Sequence, residues 1–181
     1  MKSIFPAIVI ATGSLLGFAS MGAHASDGML IFNGNISAQT CQINGTVPGK
    51  MTTVTLPTVS AAAMPSAGQS AGATPFSLTL SNCAVDSGTA HTYFEPSSST
   101  TDPATGNLVN TGTASNVQVQ LLNSDSSVIA LNKADADQNS KSVNIDSGTA
   151  TLNYNAQYIA NGGAAGAGTV TSAVTFSMIY Q

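Results

Sequence analysis

Residues 171–181 read TSAVTFSMIYQ, and the fold turns on how this stretch is read. Val174, Phe176, Met178 and Tyr180 fall at every second position, with Ala173, Thr175 and Ser177 between them. That alternation is the signature of a β-strand with one buried face. An apolar face carried to the last residues needs cover, because an unpaired edge is a site for pairing and an untied end frays. The stretch therefore predicts a strand over 174–180 that another strand must protect.

Working back from it, TLNYNAQYIA places Leu152, Tyr154, Ala156 and Tyr158 on one side, and the glycine-rich NGGAAGAG joins it to the last strand as a loop. NVQVQLL alternates Val117, Val119 and Leu121 with Asn116, Gln118 and Gln120; a turn at 123–126 returns through Val128 to Leu131 as a hairpin. HTYFEP gives a short strand around Tyr93, and Phe76, Leu78 and Leu80 lead to Cys83. Val54 and Leu56 follow a PGK turn at 48–50, and Leu30, Phe32, Gly34 and Ile36 alternate before Cys41. No stretch sustains helical periodicity with caps. About seven short strands separated by Gly, Asn, Asp and Pro predict an all-β sandwich. Residues 60–73 (SAAAMPSAGQSAGA) read as a small helical turn or a flexible loop, and 96–107 (PSSSTTDPATGN) as a loop.

The first 25 residues read as a cleaved signal peptide: Lys2, an apolar run over 4–18, then Ala23-His24-Ala25 as a small-x-small cleavage site, with cleavage after Ala19 the alternative. The run is broken by Pro6, Thr12, Gly13 and Ser14 and falls short of the ~20 residues that span hydrocarbon, so no transmembrane segment is expected in the mature chain. The remaining 156 residues suit one domain. Cys41 and Cys83 in an exported chain predict one structural disulfide.

Composition narrows the function. Charged residues are 7% of the chain, so hydroxyls and amides must form the surface. Lys50, Lys133 and Lys141 are the only cations after cleavage, too few to track a phosphate backbone, which excludes nucleic acid as a partner. His91 is the one remaining histidine, Glu95 the one glutamate, and no nucleophile elbow accompanies any serine. KADADQNS, with Asp135 and Asp137, lacks the glycine and closing glutamate of a calcium loop and reads as solvated loop. No catalytic residue, metal site or cofactor is expected, and the chain does not read as an enzyme.

Several segments in order resemble bacterial chaperone–usher pilins of the type 1 and P pilus kind, major or minor. FNGNISAQTC (32–41) resembles the family's aromatic-x-Gly segment and first cysteine, and LTLSNCAV (78–85) its second. ASNVQVQLLNSD (114–125) resembles its middle strands, LNYNAQYIA (152–160) the strand before the last, and TFSMIYQ, with penultimate Tyr180, its C-terminal motif. The resemblance implies an incomplete immunoglobulin-like β-sandwich lacking its last strand. It implies an N-terminal donor-strand extension at 26–36 and a pilin domain at 37–181. Val174, Phe176, Met178, Tyr180 and Gln181 would form the acceptor groove and chaperone contact, and Leu30, Phe32, Gly34 and Ile36 the donor strand. The implied partners are a periplasmic chaperone that lends a strand and anchors Gln181, an outer-membrane usher, and neighbouring pilins. The implied destination, through the periplasm, is the fimbrium at the cell surface, with a part in adhesion and biofilm. The competing expectation is an exported single-domain carbohydrate-binding adhesin using Tyr93 and the Ser/Thr/Asn-rich loops.

Overall fold

The computed structural model describes residues 41–46 and 48–181. The signal peptide and Leu30, Phe32, Gly34 and Ile36 lie outside the described residues. Two sheets face each other. In spatial order, β1 (Gln42–Ile43), β2 (Ser70–Ser81), β7 (Ala150–Ala160), β5 (Val117–Asn123) and β4 (Leu108–Val109) make a five-stranded sheet. The second sheet is three-stranded, β6 (Val143–Asp146), β3 (Ser87–Glu95) and β8 (Thr175–Tyr180). Every pairing is antiparallel.

β7 is the centre of the larger sheet because its alternation gives it a core face and its length lets β2 and β5 pair along it. Leu78 lies opposite Leu152, Phe76 opposite Tyr154, and Leu121 opposite Ala156. The β2 register shifts between Ala71 and Thr74. Gly72 serves that bulge: its φ is +72°, and a Cβ there would stand 3.0 Å from the Tyr158 ring. Between the sheets, Tyr154 packs edge-on against Phe94 of β3 and tilted against Phe76, with centroids 5.5 Å away in both cases. Leu80, Ile129, Leu131 and Leu152 complete a fully buried centre. Cys41 is bonded to Cys83, tying the start of β1 to the residues after β2.

β5 is buried on both faces, although its sequence alternates. The loop after β3 is the cause, since it folds back over the outer face of the sheet. Gln118 donates to Asp102 (2.5 Å) and accepts from Asn107 (3.1 Å) and Thr105 (2.9 Å), while Gln157 donates to Gln120 and Gln120 to Asn107. A polar face is thus closed by amides bonding to one another.

Three expectations need correction. Val54 and Leu56 belong to no strand; both are half-buried, and Pro57 has no N–H for a ladder. The return from the 123–126 turn is a short one, a Leu122–Val128 bridge flanked by bonds from Asn123 N–H to Ser127 and from Ile129 N–H to Leu121; it ends there because β4 pairs with β5 at Val119 and Leu131 N–H bonds the Gly106 carbonyl. Residues 60–73 divide between a 3-10 turn at Ala61–Ala63, capped by Ser60, and the first four residues of β2.

Candidate strand-acceptor site

Among the described residues β8 is an edge strand. It pairs with β3 from Thr175 opposite Glu95 to Tyr180 opposite Ala90, and Gln181 adds one more reciprocal pair of bonds with Thr89 (2.8 and 2.9 Å). Gly88 makes room for that last step: its φ is +133°, and a Cβ would lie 2.9 Å from the Gln181 oxygen. Among the described residues no strand lies along the other edge of β8.

The side chains differ across this ladder. Phe94, Thr92 and Ala90 point into the core from β3 and are at most 2% exposed. Their partners directly across, Phe176, Met178 and Tyr180, point the same way yet remain half-buried, as does Val174 just ahead of the strand. Ile43 of β1, Phe76 of β2, Leu56 and Val170 are likewise partly buried apolar side chains packed at the margin of the core. Burial pushes the Tyr180 phenol above its ordinary pKa, and the nearby Cys41 main chain offsets this in part. The end of β8 therefore lies beside the cysteine that opens β1.

The opposite edge of the small sheet is closed in an unexpected way. β6 covers β3 only from Ser87 to Ala90. Beyond it, the side-chain amide of Gln138, itself fully buried, accepts from Phe94 N–H (3.1 Å) and donates to Phe94 carbonyl (2.6 Å), as a strand residue would. His91 lies next to it, on the outer face, with Nε2 at 2.9 Å from an Asp135 carboxylate oxygen. The segment read as solvated loop thus supplies a buried plug. Sequence reading missed Gln138 and the His91–Asp135 pair because their partners stand 44 residues apart in the chain.

Tyr93, the candidate sugar contact, is half-buried on the outer face opposite Ser177, whose hydroxyl bonds the Glu95 carboxylate. Among the described residues no group of three His, Cys, Asp or Glu is placed to hold a metal, and no helix is long and apolar enough to cross a membrane.

Comparison with known proteins agrees with this architecture. The type-1 fimbrial protein, A, family matches residues 56–181. The F17 fimbrial protein of Escherichia coli is 44% identical over 176 residues, covering 93% of this chain and 96% of that protein. The major fimbrial subunit SMF-1 of Stenotrophomonas maltophilia is 43% identical over 174 residues, covering 92% and 100%. In a solved chaperone–usher pilus, a chain 17% identical superposes with a TM-score of 0.56 over 86% of this chain and 96% of that one, a likeness of fold. The two-sheet sandwich is thus that of the solved pilus subunit, and the chain belongs to the type-1 fimbrial protein family.

Proposed function

We propose that this protein is a structural subunit of a chaperone–usher pilus that polymerises by strand donation. The observation that carries the proposal is the contrast across one ladder: inward side chains of β3 are wholly buried while their β8 partners are half-buried. A strand added along β8 would cover Phe176, Met178 and Tyr180 and pair the free edge, which is β-augmentation of the kind for which pilin donor-strand complementation is a standard example.

In this reading residues 1–25 are a signal peptide, 26–36 a donor extension and 37–181 the pilin domain. Leu30, Phe32 and Ile36 share one strand face and fill pockets of the next subunit, and Gly34 fits where the groove admits no side chain. Burying three such side chains is worth roughly 1.5–3 kcal/mol each, enough with the main-chain bonds for a long-lived joint. A periplasmic chaperone lends the first strand and contacts Gln181, and an outer-membrane usher exchanges it for the neighbour's arm.

Deleting residues 26–36 tests this. The shortened chain is expected to be captured by its chaperone and to cap a fibre, but not to extend one. Normal fibres from the shortened chain would end the proposal. Removing 176–181 is expected to abolish chaperone capture, and an undiminished periplasmic yield without a chaperone would contradict it.

A further inference from the structure

Thr92 stands in the middle of β3 with none of its surface exposed, and its hydroxyl is used twice. It accepts from the Tyr154 phenol (2.9 Å) and donates to the Met178 sulfur (3.6 Å). Tyr154 comes from β7 in the opposite sheet, and Ser140 Oγ lies 3.3 Å from the same phenol. A chain of polar contacts therefore crosses an apolar core and ends on a half-buried side chain of the uncovered strand. Apolar packing alone does not call for it: a buried hydroxyl costs free energy unless bonded, and a bonded one holds its neighbours in a single arrangement. Methionine has three rotatable bonds and moulds itself to whatever packs on it, which is why methionine-rich surfaces accept many partners. A methionine whose sulfur is held presents a fixed wall.

From this juxtaposition we infer that Thr92, set by Tyr154, pins the Met178 thioether and so makes Met178 a specificity-determining residue that sorts incoming donor side chains by size. The inference rests on the strand-acceptor reading of β8. Thr92 and Tyr154 are positioning residues, since both are buried beneath the face a donor would touch.

The test uses the full chain, unfolded in guanidinium and refolded with excess synthetic peptide of residues 26–36. Parallel samples receive the peptide bearing Leu30→Ala, Phe32→Leu, Phe32→Ala or Ile36→Ala, and dissociation rates are compared. Thr92→Val keeps the shape and removes the hydroxyl. It is expected to bind the parent peptide while discrimination at the position packed on Met178 shrinks by about tenfold. Thr92→Ser, which restores the hydroxyl, is expected to restore the ratio. If Thr92→Val lowers only the unfolding midpoint and leaves every ratio as in the unaltered protein, the role is structural and the inference falls. Should Thr92→Val not refold, Met178→Leu carries the test, with the same loss of discrimination expected and unchanged ratios fatal. If no peptide binds the unaltered chain, the strand-acceptor reading fails together with this inference, an outcome distinct from binding with unchanged ratios.

Discussion

β7 and β8 carry the same alternation of apolar residues and meet opposite fates. β7 lies between β2 and β5, and its inward Leu152, Tyr154 and Ala156 are at most 4% exposed. Among the described residues β8 has β3 alone, and its inward Phe176, Met178 and Tyr180 stay half-buried although Phe176 is larger than Leu152 and Tyr180 matches Tyr154. The residues do not account for the difference; the number of neighbours does. A period-2 pattern declares that a strand needs cover, while topology determines whether the chain supplies it. On the proposed reading, the β8 edge is where one molecule meets the next.

The largest expected effect concerns the tether beside the open edge. Replacing both Cys41 and Cys83 by Ser opens the loop they close and is expected to cost roughly 4 kcal/mol on the chain-entropy account. Because Tyr180 reaches the Cys41 main chain, amide hydrogen exchange is expected to quicken more in β8 than in β7. Equal acceleration in both strands would mean that the two regions form one cooperative unit and would break the contrast.

Truncation inside each strand sharpens it. Leu152→Ala leaves a cavity at a site 1% exposed and is expected to cost about 3 kcal/mol, measured by guanidinium unfolding, whether or not donor peptide is present. Phe176→Ala removes a side chain already half in water and is expected to cost about 1–2 kcal/mol alone, and more when a peptide of residues 26–36 is bound. If both substitutions cost the same without peptide, the β8 face is already covered.

How far the sequence disclosed this arrangement depends on where each partner sits. Alternation in β5, β7 and β8 was sufficient to orient their side chains, and Phe176, Met178 and Tyr180 face inward as the pattern requires. Val54 and Leu56 show the same period without forming a strand, because pairing belongs to two segments and Pro57 limits one of them. Gln138 was illegible for another reason: an amide is read as surface, and nothing local reveals that it bonds the Phe94 main chain as a strand would. Thr92 is hidden within HTYFEP, because its type gives no local sign that it, and not Tyr93, faces the core.

The smallest effect probes the other covered surface, the outer face of the five-stranded sheet. There the roof is polar and hangs on Asp102, whose carboxylate is held below its ordinary pKa by the Ala104 N–H first and then by the Gln118 amide. A carboxyl group with a lowered folded-state pKa adds stability above the unfolded value near 3.8, and that contribution is lost as pH falls through the folded-state value. Asp102→Asn retains an acceptor but no charge, so the unaltered chain is expected to lead it at pH 5 and to lose that lead progressively towards pH 2, roughly the range over which such a carboxylate titrates. Since Asp102 is largely solvated, the lead should be slight, well under that of Leu152→Ala. A difference in unfolding midpoint that stayed constant across this range would show that shape, rather than charge, seats the loop on Gln118. The roof would then depend on packing as β7 does, and not on a titrating contact.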